Sequence, residues 1–320
     1  TITLDVSNSR SGNWYGIAAF TVNAGTGNLT VSGANAASGG WGFNGAMSLT
    51  GALNISSSIN AFSTVALNLT ATAASSVSGN LTLGNNTVNT WTVNPGLTMT
   101  ASGNISGTSA AITKNGTGTL ILSGAANTYT GATTVNAGTL QLSGNISSSA
   151  LTINSGGVVS AGSTAAVAKF NAASLTVAGD SGYAFTIGNI SGGTAGTAGT
   201  GYDQIATSGA ITFNNTAANP FTVYINGTPT NWSSSESYTW NILSGSSLGG
   251  FSSGNFVADY SSFGGALASG ASWTFGASGG NLTLTYGTAG TPTWAGGTEV
   301  WRGNSTTPLS TNLNMLFTGA

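Results

Sequence analysis

The stretch ITKNGTGTLILSGAANTYTGATTVNAGTLQLSG, residues 112–144, holds two short strand-like runs, LIL at residues 120–122 and LQL at residues 140–142, and Ser-Gly follows each run. Short runs of this kind are typical of strands, and Ser-Gly, Asn-Gly and Gly-Gly pairs are typical of the turns between them. Leu120 and Leu140 stand 20 residues apart. A fixed period of about 20–50 residues indicates a repeating architecture in which successive units stack.

The same spacing recurs on both sides of this stretch. Leu29, Leu49 and Leu69 are also 20 residues apart, and Leu151 and Leu175 are 24 apart. A propeller blade needs about 40 residues or more, so the shorter period favours one coil of a parallel β-helix. In such coils, inward aliphatic side chains stack in ladders, while outward Thr, Ser and Asn face water. The sequence therefore predicts an all-β fold, a parallel β-helix or β-solenoid.

The pattern divides the chain into three parts. We predict a β-solenoid of about 20-residue coils over residues 1–190 and a Gly/Thr-rich loop over residues 191–202. Over residues 203–320 the strands are longer and more aromatic, and we expect an aromatic-rich solenoid end or a β-sandwich-like cap with a terminal strand. A cap is needed because the last coil would otherwise expose an unpaired edge. Five of the eight Trp residues lie in this part: Trp232, Trp240, Trp273, Trp294 and Trp301.

Charge is scarce, at 3% of residues with a net charge of −2. Four Lys and Arg in 320 residues cannot form the basic patch that nucleic acids or anionic membrane surfaces require. No run of about 18 apolar residues predicts a membrane span. A weakly charged surface also does little to keep copies of a protein apart. We therefore expect copies of this chain as its main partner, with surface glycans as a second.

Catalytic chemistry has little to build on. The chain has no His and no Cys, which excludes the usual nucleophile–base pairs and thiolate metal sites. Asp180 and Asp203 are 23 residues apart, about one coil, and could stack as a carboxylate pair or share a calcium ion. The preferred interpretation is that each is a turn residue. We predict no catalytic residue, no metal site and no cofactor.

One part of the chain resembles a known family. The residues that carry the resemblance are 114–116 (KNG), 118–124 (GTLILSG), 127–131 (NTYTG), 133–135 (TTV) and 137–140 (AGTL). They resemble the β-strand repeat in the passenger regions of autotransporters and related bacterial surface proteins. The resemblance implies a right-handed parallel β-helix, export and a place at the cell surface, and it carries no catalytic residues. The chain opens at Thr1 rather than Met, as expected of a mature protein whose leader has been removed.

Several polar and aromatic residues leave alternatives open. Outward aromatic residues could stack on sugars or on a neighbouring copy, although core packing is preferred for most of them. Examples are Trp14, Tyr15, Trp41 and Trp294. Many Asn residues stand in Asn-x-Ser/Thr sequences, which indicate either glycosylation or chance in a chain this rich in Asn, Ser and Thr; chance is preferred. These residues are Asn28, Asn54, Asn68, Asn80, Asn85, Asn104, Asn115, Asn145, Asn189, Asn214, Asn226, Asn231, Asn281 and Asn304.

Apolar runs stand at both ends of the chain, at residues 1–6 (TITLDV) and 312–317 (NLNMLF). A terminal strand can pair with the edge of another copy, and head-to-tail contacts that do not close generate filaments. The candidate assembly residues are Thr1, Ile2, Leu4, Val6, Leu313, Met315, Leu316 and Phe317. We therefore expect a secreted, non-catalytic structural protein that assembles into a filament, sheath or surface layer. The alternatives are an adhesin-like passenger that binds a surface or glycan and, more weakly, a polysaccharide-active β-helix enzyme.

Overall fold

A computed structural model describes residues 2–5, 19–32, 41–43, 45–61, 64–163, 166–190 and 195–287. All of them belong to one compact unit of the chain, which spans Thr1–Thr288. In these residues the secondary structure is almost entirely β, with one short 3₁₀ helix at Ser253–Asn255. The strands are β1 (Ile2–Asp5), β2 (Ala19–Ser32), β3 (Trp41–Phe43), β4 (Ala46–Ile55), β5 (Ile59–Ala61), β6 (Leu67–Ala71), β7 (Ser75–Val77), β8 (Leu81–Thr82), β9 (Val88–Val93), β10 (Thr98–Ala101), β11 (Ile105–Ser106), β12 (Ala111–Asn115), β13 (Thr119–Leu122), β14 (Thr133–Val135), β15 (Gly138–Leu142), β16 (Ile146–Ile153), β17 (Gly157–Ser163), β18 (Ala166–Val167), β19 (Lys169–Ala178), β20 (Gly182–Thr186), β21 (Gln204–Thr207), β22 (Ile211–Asn214), β23 (Phe221–Gly227), β24 (Tyr238–Ser244), β25 (Leu248–Gly249), β26 (Phe256–Phe263), β27 (Ser272–Ser278) and β28 (Asn281–Gly287).

The strands stack in three parallel ladders, one strand of each ladder per coil. Ladder A runs through β6, β9, β12, β14, β22 and β25. Ladder B runs from β1 through β7, β10, β13, β15, β17, β20 and β23 to β26. Ladder C contains β3, β5, β8, β11, β21 and β24. The predicted all-β parallel β-helix is therefore confirmed.

Four long strands turn a corner and belong to two ladders each. β2 and β4 pass from ladder A to ladder B, and β16 and β19 pass from ladder C to ladder A. Burial alternates along β4 and β6, with Leu67 and Leu69 buried and Asn68 between them partly exposed. This alternation is what places the aliphatic residues inside the coils and the Thr and Asn residues outside.

The predicted stacking of leucines is largely confirmed. Leu120 lies opposite Leu140, and Leu151 lies opposite Leu175. All four side chains are buried in the central core. Their spacing in the sequence therefore does measure one coil of the helix.

One predicted ladder is wrong. Leu49 lies opposite Leu69, as expected, but Leu29 lies opposite Leu53. The reason is the corner in β2 and β4, which puts Leu29 on ladder B while Leu49 is on ladder A. A spacing of 20 residues from Leu29 to Leu49 is thus less than a full coil.

The coils lengthen towards the C-terminus. Leu175 lies opposite Ile211, 36 residues later, and Ile211 lies opposite Leu248, 37 residues later. The additional residues are in the connections between β20 and β21 and between β23 and β24. Parallel pairing continues from β19 to β21 and β22, on the far side of residues 191–202. The division of the chain at that segment stays a prediction.

Antiparallel strand pairing and aromatic packing are found at the C-terminal end of the described part of the β-helix. β27 and β28 form an antiparallel pair, and β28 also pairs antiparallel with β24 of ladder C. Trp240 is fully buried, and its indole N–H donates to the carbonyl oxygen of Ala195 at 2.9 Å. The rings packed around this end are those of Trp232, Tyr238, Trp240, Phe263, Trp273 and Tyr286. The predicted aromatic-rich end is therefore present.

Candidate interaction surface

Lys114, a residue of the repeat-like stretch, has a structural role in the fold. Its side chain is fully buried on ladder A. The ammonium group donates to the carbonyl oxygens of Asn115 at 3.0 Å, Gly116 at 2.6 Å and Ala137 at 3.0 Å. Burial lowers the pKa of Lys114 to about 8. With three acceptors for its three protons, this amine joins two coils at a corner rather than facing a ligand.

Asn127 has a similar role at another corner. Its side-chain oxygen accepts from the N–H of Ile105 at 3.0 Å. Its amide nitrogen donates to the carbonyls of Gly124 at 3.0 Å and Asn145 at 3.2 Å. One buried amide therefore connects the coil before it, its own coil and the coil after it.

Three hydroxyl groups in and beside this stretch form a series of hydrogen bonds in the core. The Tyr129 hydroxyl lies 2.7 Å from that of Thr133, which lies 2.9 Å from that of Ser149. Ser149 donates to the carbonyl oxygen of Gly131 at 2.7 Å. Burial raises the pKa of Tyr129 to about 12. These hydroxyls are hydrogen-bonded to one another, and the chain has no His that could activate one of them as a nucleophile.

The two aspartates that could have stacked lie at different corners. Asp180 is an exposed turn residue with φ 54 between β19 and β20, and it accepts from the Asn219 amide at 2.6 Å. Asp203 precedes β21 and is fully buried, so its interpretation as an ordinary turn residue is wrong. Its carboxylate accepts from the N–H groups of Ala168 at 2.7 Å and Thr186 at 2.9 Å. Desolvation raises the pKa of Asp203 to about 8.

No carboxylate pair or metal cluster assembles in the part of the chain that the structure describes. Asp180 and Asp203 share no hydrogen-bond partner. Among the described residues, no three His, Cys, Asp or Glu residues lie close enough together to hold a metal ion. Sequence reasoning missed the burial of Asp203 because a single acid after a Gly-rich segment carries no local sign of burial.

Several Asn residues of the glycosylation-like sequences contribute to the stacking of coils, among them Asn80, Asn104 and Asn145. The side-chain oxygen of Asn80 accepts from the N–H of Asn104 at 2.9 Å, and that of Asn104 accepts from the N–H of Ala126 at 3.0 Å. Asn145 in turn accepts from the N–H of Asn171 at 2.9 Å. These exposed amides extend ladder C where its strands are short.

The structure describes only some of the predicted assembly residues. Ile2 and Leu4 lie in β1, which pairs in parallel with β2 at the start of ladder B. The Ile2 side chain is 37% exposed. Thr1, Val6, Leu313, Met315, Leu316 and Phe317 lie outside the described residues. Of the predicted outward aromatics, Trp14, Tyr15 and Trp294 also lie outside them, and Trp41 lies in β3.

An exposed aromatic surface lies on the outer side of ladder B, near its C-terminal end. We call it the tyrosine face and define it by Tyr224 of β23 and Val257, Asp259 and Tyr260 of β26. The Tyr224, Val257 and Tyr260 side chains are 37%, 43% and 48% exposed. They border an open groove of about 560 Å³, which Thr222 and Ser261 also line. This surface was not predicted from the sequence.

The backbone around the tyrosine face explains its shape. Tyr224 lies opposite Asp259, whereas Asn226 lies opposite Ser262, so β26 carries one additional residue between them. This bulge lies at Tyr260, and bulges re-aim side chains and interrupt strand pairing. The Tyr224 ring leans over the neighbouring strand, since a Cβ atom added to Gly182 would lie 2.5 Å from its Cε2 atom.

The charge of the face comes from Asp259. One of its oxygens accepts from the N–H of Ser261 at 2.9 Å. This hydrogen bond, together with one from the Ser261 side chain, lowers the pKa of Asp259. The carboxylate is therefore ionised at neutral pH. The face combines two exposed aromatic rings with one partly exposed negative charge.

The central stretch was compared with known protein families. Residues 112–142 match the family model of the passenger-associated-transport-repeat. This segment is an autotransporter passenger-type repeat. The resemblance inferred from its motifs is thus confirmed, and the match covers 31 of the 320 residues. A comparison with the curated proteins finds no match to the chain.

The repeat indicates the location of the protein. A passenger-type repeat implies a secreted or surface-exposed protein. None of the described residues forms a helix that is both long and apolar enough to cross a membrane. The motif residues Lys114, Asn127, Tyr129 and Thr133 are all engaged in contacts within or between coils, so what the repeat contributes is the stacked scaffold itself.

Proposed function

We propose that this chain is a surface-displayed, non-catalytic β-helical passenger that adheres to a ligand outside the cell through its tyrosine face. The observation that carries the proposal is the face itself. Three large apolar side chains, Tyr224, Val257 and Tyr260, are exposed together on neighbouring strands of a weakly charged chain. A grouped apolar surface with a polar rim is typical of interaction sites, whereas isolated exposed apolar residues are ordinary.

The state of the ionisable groups supports a non-catalytic role. Asp203 and Lys114 are buried and bound to backbone groups, and Asp180 lies at a separate corner. General acid–base catalysis requires groups within hydrogen-bond reach of a substrate. The carboxylate of Asp259 borders the groove of the tyrosine face, and one carboxylate alone does not make a glycosidase pair.

The adhesive role is tested with the purified chain on beads. Beads coated with the chain are incubated with cells and with extracellular matrix, and albumin-coated beads are the reference. We expect retention above the reference at physiological salt, because adhesion through aromatic contacts is only weakly screened. Retention equal to that of albumin on every surface would show that the chain is not adhesive.

Self-assembly is a second candidate, and the ends of ladder B favour it. Within the described residues, β1 pairs only with β2 and β26 only with β23, so both ends of this ladder present a parallel strand edge. Such edges can pair with another copy. The bulge at Tyr260 and the charge of Asp259 oppose pairing at β26, since bulges and edge charges protect against strand addition. For this reason adhesion is preferred.

Size measurement separates the two candidates. Self-assembly predicts a polymer that sediments rapidly and that disappears when residues 1–6 or 309–320 are deleted. The adhesive passenger predicts a monomer of 31.2 kDa in analytical ultracentrifugation. Long filaments that survive both deletions would exclude terminal strand pairing as their cause.

A further inference from the structure

We propose that the tyrosine face binds an uncharged saccharide, with the rings of Tyr224 and Tyr260 as stacking surfaces and Asp259 as a hydrogen-bond acceptor. This inference rests on the proposed adhesive function and names its ligand class. The carrying observation is the juxtaposition of two exposed tyrosines and one partly exposed aspartate on β23 and β26, at a bulge beside a groove of about 560 Å³.

The position of Tyr224 suits a stacking surface. Gly182 on the neighbouring strand has no side chain, and the Tyr224 ring occupies the space above it, 2.5 Å from where a Cβ atom would be. The ring therefore lies along the outer face of ladder B instead of standing away from it. A supported ring of this kind loses little conformational entropy on binding and offers an apolar surface with a polar edge.

Tyr260 and Asp259 complete the site from the next strand. The additional residue in β26 turns Tyr260 outward, so that it is the most exposed aromatic residue described. Asp259 lies directly opposite Tyr224 in the strand register. The carboxylate can accept from sugar hydroxyls, and Thr222 and Ser261 add hydroxyls at the border of the groove.

Charge selects among saccharides. Of the cations in the described part of the chain, Lys114 is buried on ladder A and Lys169 lies at the start of β19 on ladder C. Neither belongs to ladder B, so among the described residues no cation offers a counter-charge to the carboxylate of a uronic or sialic acid beside Asp259. An anionic sugar therefore pays an electrostatic penalty that an uncharged sugar does not.

The shape of the site argues for a sugar over a peptide strand. The groove is open rather than enclosed, so a sugar ring can lie across it without entering a closed cavity. A peptide would add to the edge of β26, where the bulge and Asp259 interrupt the regular hydrogen-bonding pattern. A saccharide needs stacking and hydroxyl contacts, and it does not need a regular strand edge.

The test is calorimetric titration of the full chain with defined oligosaccharides. The uncharged probes are maltoheptaose, cellohexaose and chitohexaose, and the anionic probes are hexagalacturonate and sialyllactose. We expect at least one uncharged probe to bind and the anionic probes to bind more weakly. Replacement Tyr224→Ala should weaken binding about tenfold, which corresponds to about 1.4 kcal/mol. Tyr260→Ala should have an effect in the same direction.

The matched control is Val88→Ala, which removes apolar surface from a side chain that is 60% exposed on ladder A. It should leave saccharide binding unchanged, and urea unfolding of each variant establishes that it is folded. Binding that is unaffected by Tyr224→Ala, preference for the anionic probes, or no binding of any uncharged probe would each overturn the proposal.

The bead assay distinguishes this failure from failure of the adhesive function. If the native chain adheres and Tyr224→Ala adheres equally well, the saccharide site is wrong, and the chain is adhesive through a surface other than the tyrosine face. If the native chain binds an uncharged probe in a Tyr224-dependent manner but adheres to no surface, the site stands and the adhesive function is wrong.

Discussion

The ammonium group of Lys114 donates a 3.0 Å hydrogen bond to the carbonyl oxygen of Ala137, one coil further along the chain. The same group bonds the carbonyls of Asn115 and Gly116 in its own coil. A buried cation, opposite Trp91 and Val135 in the strand register, thus joins two coils at the corner between ladders A and B. Buried polar groups that lose such partners cost about 1–3 kcal/mol each, so this corner depends on one side chain.

Replacement Lys114→Met should lower the free energy of unfolding by about 1–3 kcal/mol, because the methionine fills the space and leaves three carbonyl oxygens without a donor. Urea unfolding followed by circular dichroism measures the change. The control is Lys169→Met, since Lys169 is exposed on β19. Equal stability of the two variants would mean that the Lys114 hydrogen bonds contribute nothing.

The Ser-Gly turns should be intolerant of any side chain, because Gly79, Gly103, Gly124 and Gly144 stack on one another. A Cβ atom on Gly103 would overlap the carbonyl oxygen of Gly79 in the preceding coil. Gly103→Ala should therefore cost about 1–3 kcal/mol of stability or more, through steric overlap with backbone.

The matched control for the glycine column is Gly254→Ala, because a Cβ atom there would meet nothing within 4 Å. Its thermal midpoint should stay close to that of the native chain, while Gly103→Ala unfolds at lower temperature. If Gly103→Ala unfolds at the native temperature, the coils do not approach as closely as the structure indicates.

Removal of the Asn127 amide should remove hydrogen bonds that connect three coils and should lower the stability of the chain. Asn127→Ala leaves the N–H of Ile105 and the carbonyls of Gly124 and Asn145 without their partner. We expect a loss of about 1–3 kcal/mol in urea unfolding and faster hydrogen exchange at the Ile105 amide. Asn54→Ala, at an exposed position of β4, is the control and should be neutral. Unchanged exchange at Ile105 would contradict the assignment.

Asp203 should make stability depend on pH. Burial raises its pKa in the folded chain from the ordinary 3.8 to about 8, so the folded state binds more protons than the unfolded state between these values. The contribution of Asp203 is therefore complete below about pH 4 and is lost as the pH rises through about 8. The slope is at most about 1.4 kcal/mol per pH unit.

Urea midpoints between pH 4 and pH 9 measure this dependence. Asp203→Asn should abolish the part of the slope that Asp203 causes, because the amide does not titrate. Asp180→Asn, at an exposed turn, should retain it. A native slope that survives in Asp203→Asn would assign the pH dependence to another group.

The length of a coil and its inward residues could be predicted because both follow from patterns among residues close together in the sequence. The Leu120–Leu140 and Leu151–Leu175 spacings and the alternation along β6 each involve residues within about one coil, and the partners observed are the partners expected. A parallel β-helix brings together residues a fixed distance apart in the chain, so periodicity reports tertiary contacts directly.

The sequence alone therefore determined the β-helix, its inward aliphatic ladders and its passenger-type repeat, since all three depend on short-range patterns. Tertiary structure decided that Leu29 and Leu49 lie on different ladders, that Asp203 is buried and that Tyr224 lies opposite Asp259. These features depend on where each strand turns a corner and on how many residues each connection adds. Corners and connections of varying length change the number of residues per coil. Only the folded structure therefore shows which outward side chains become neighbours.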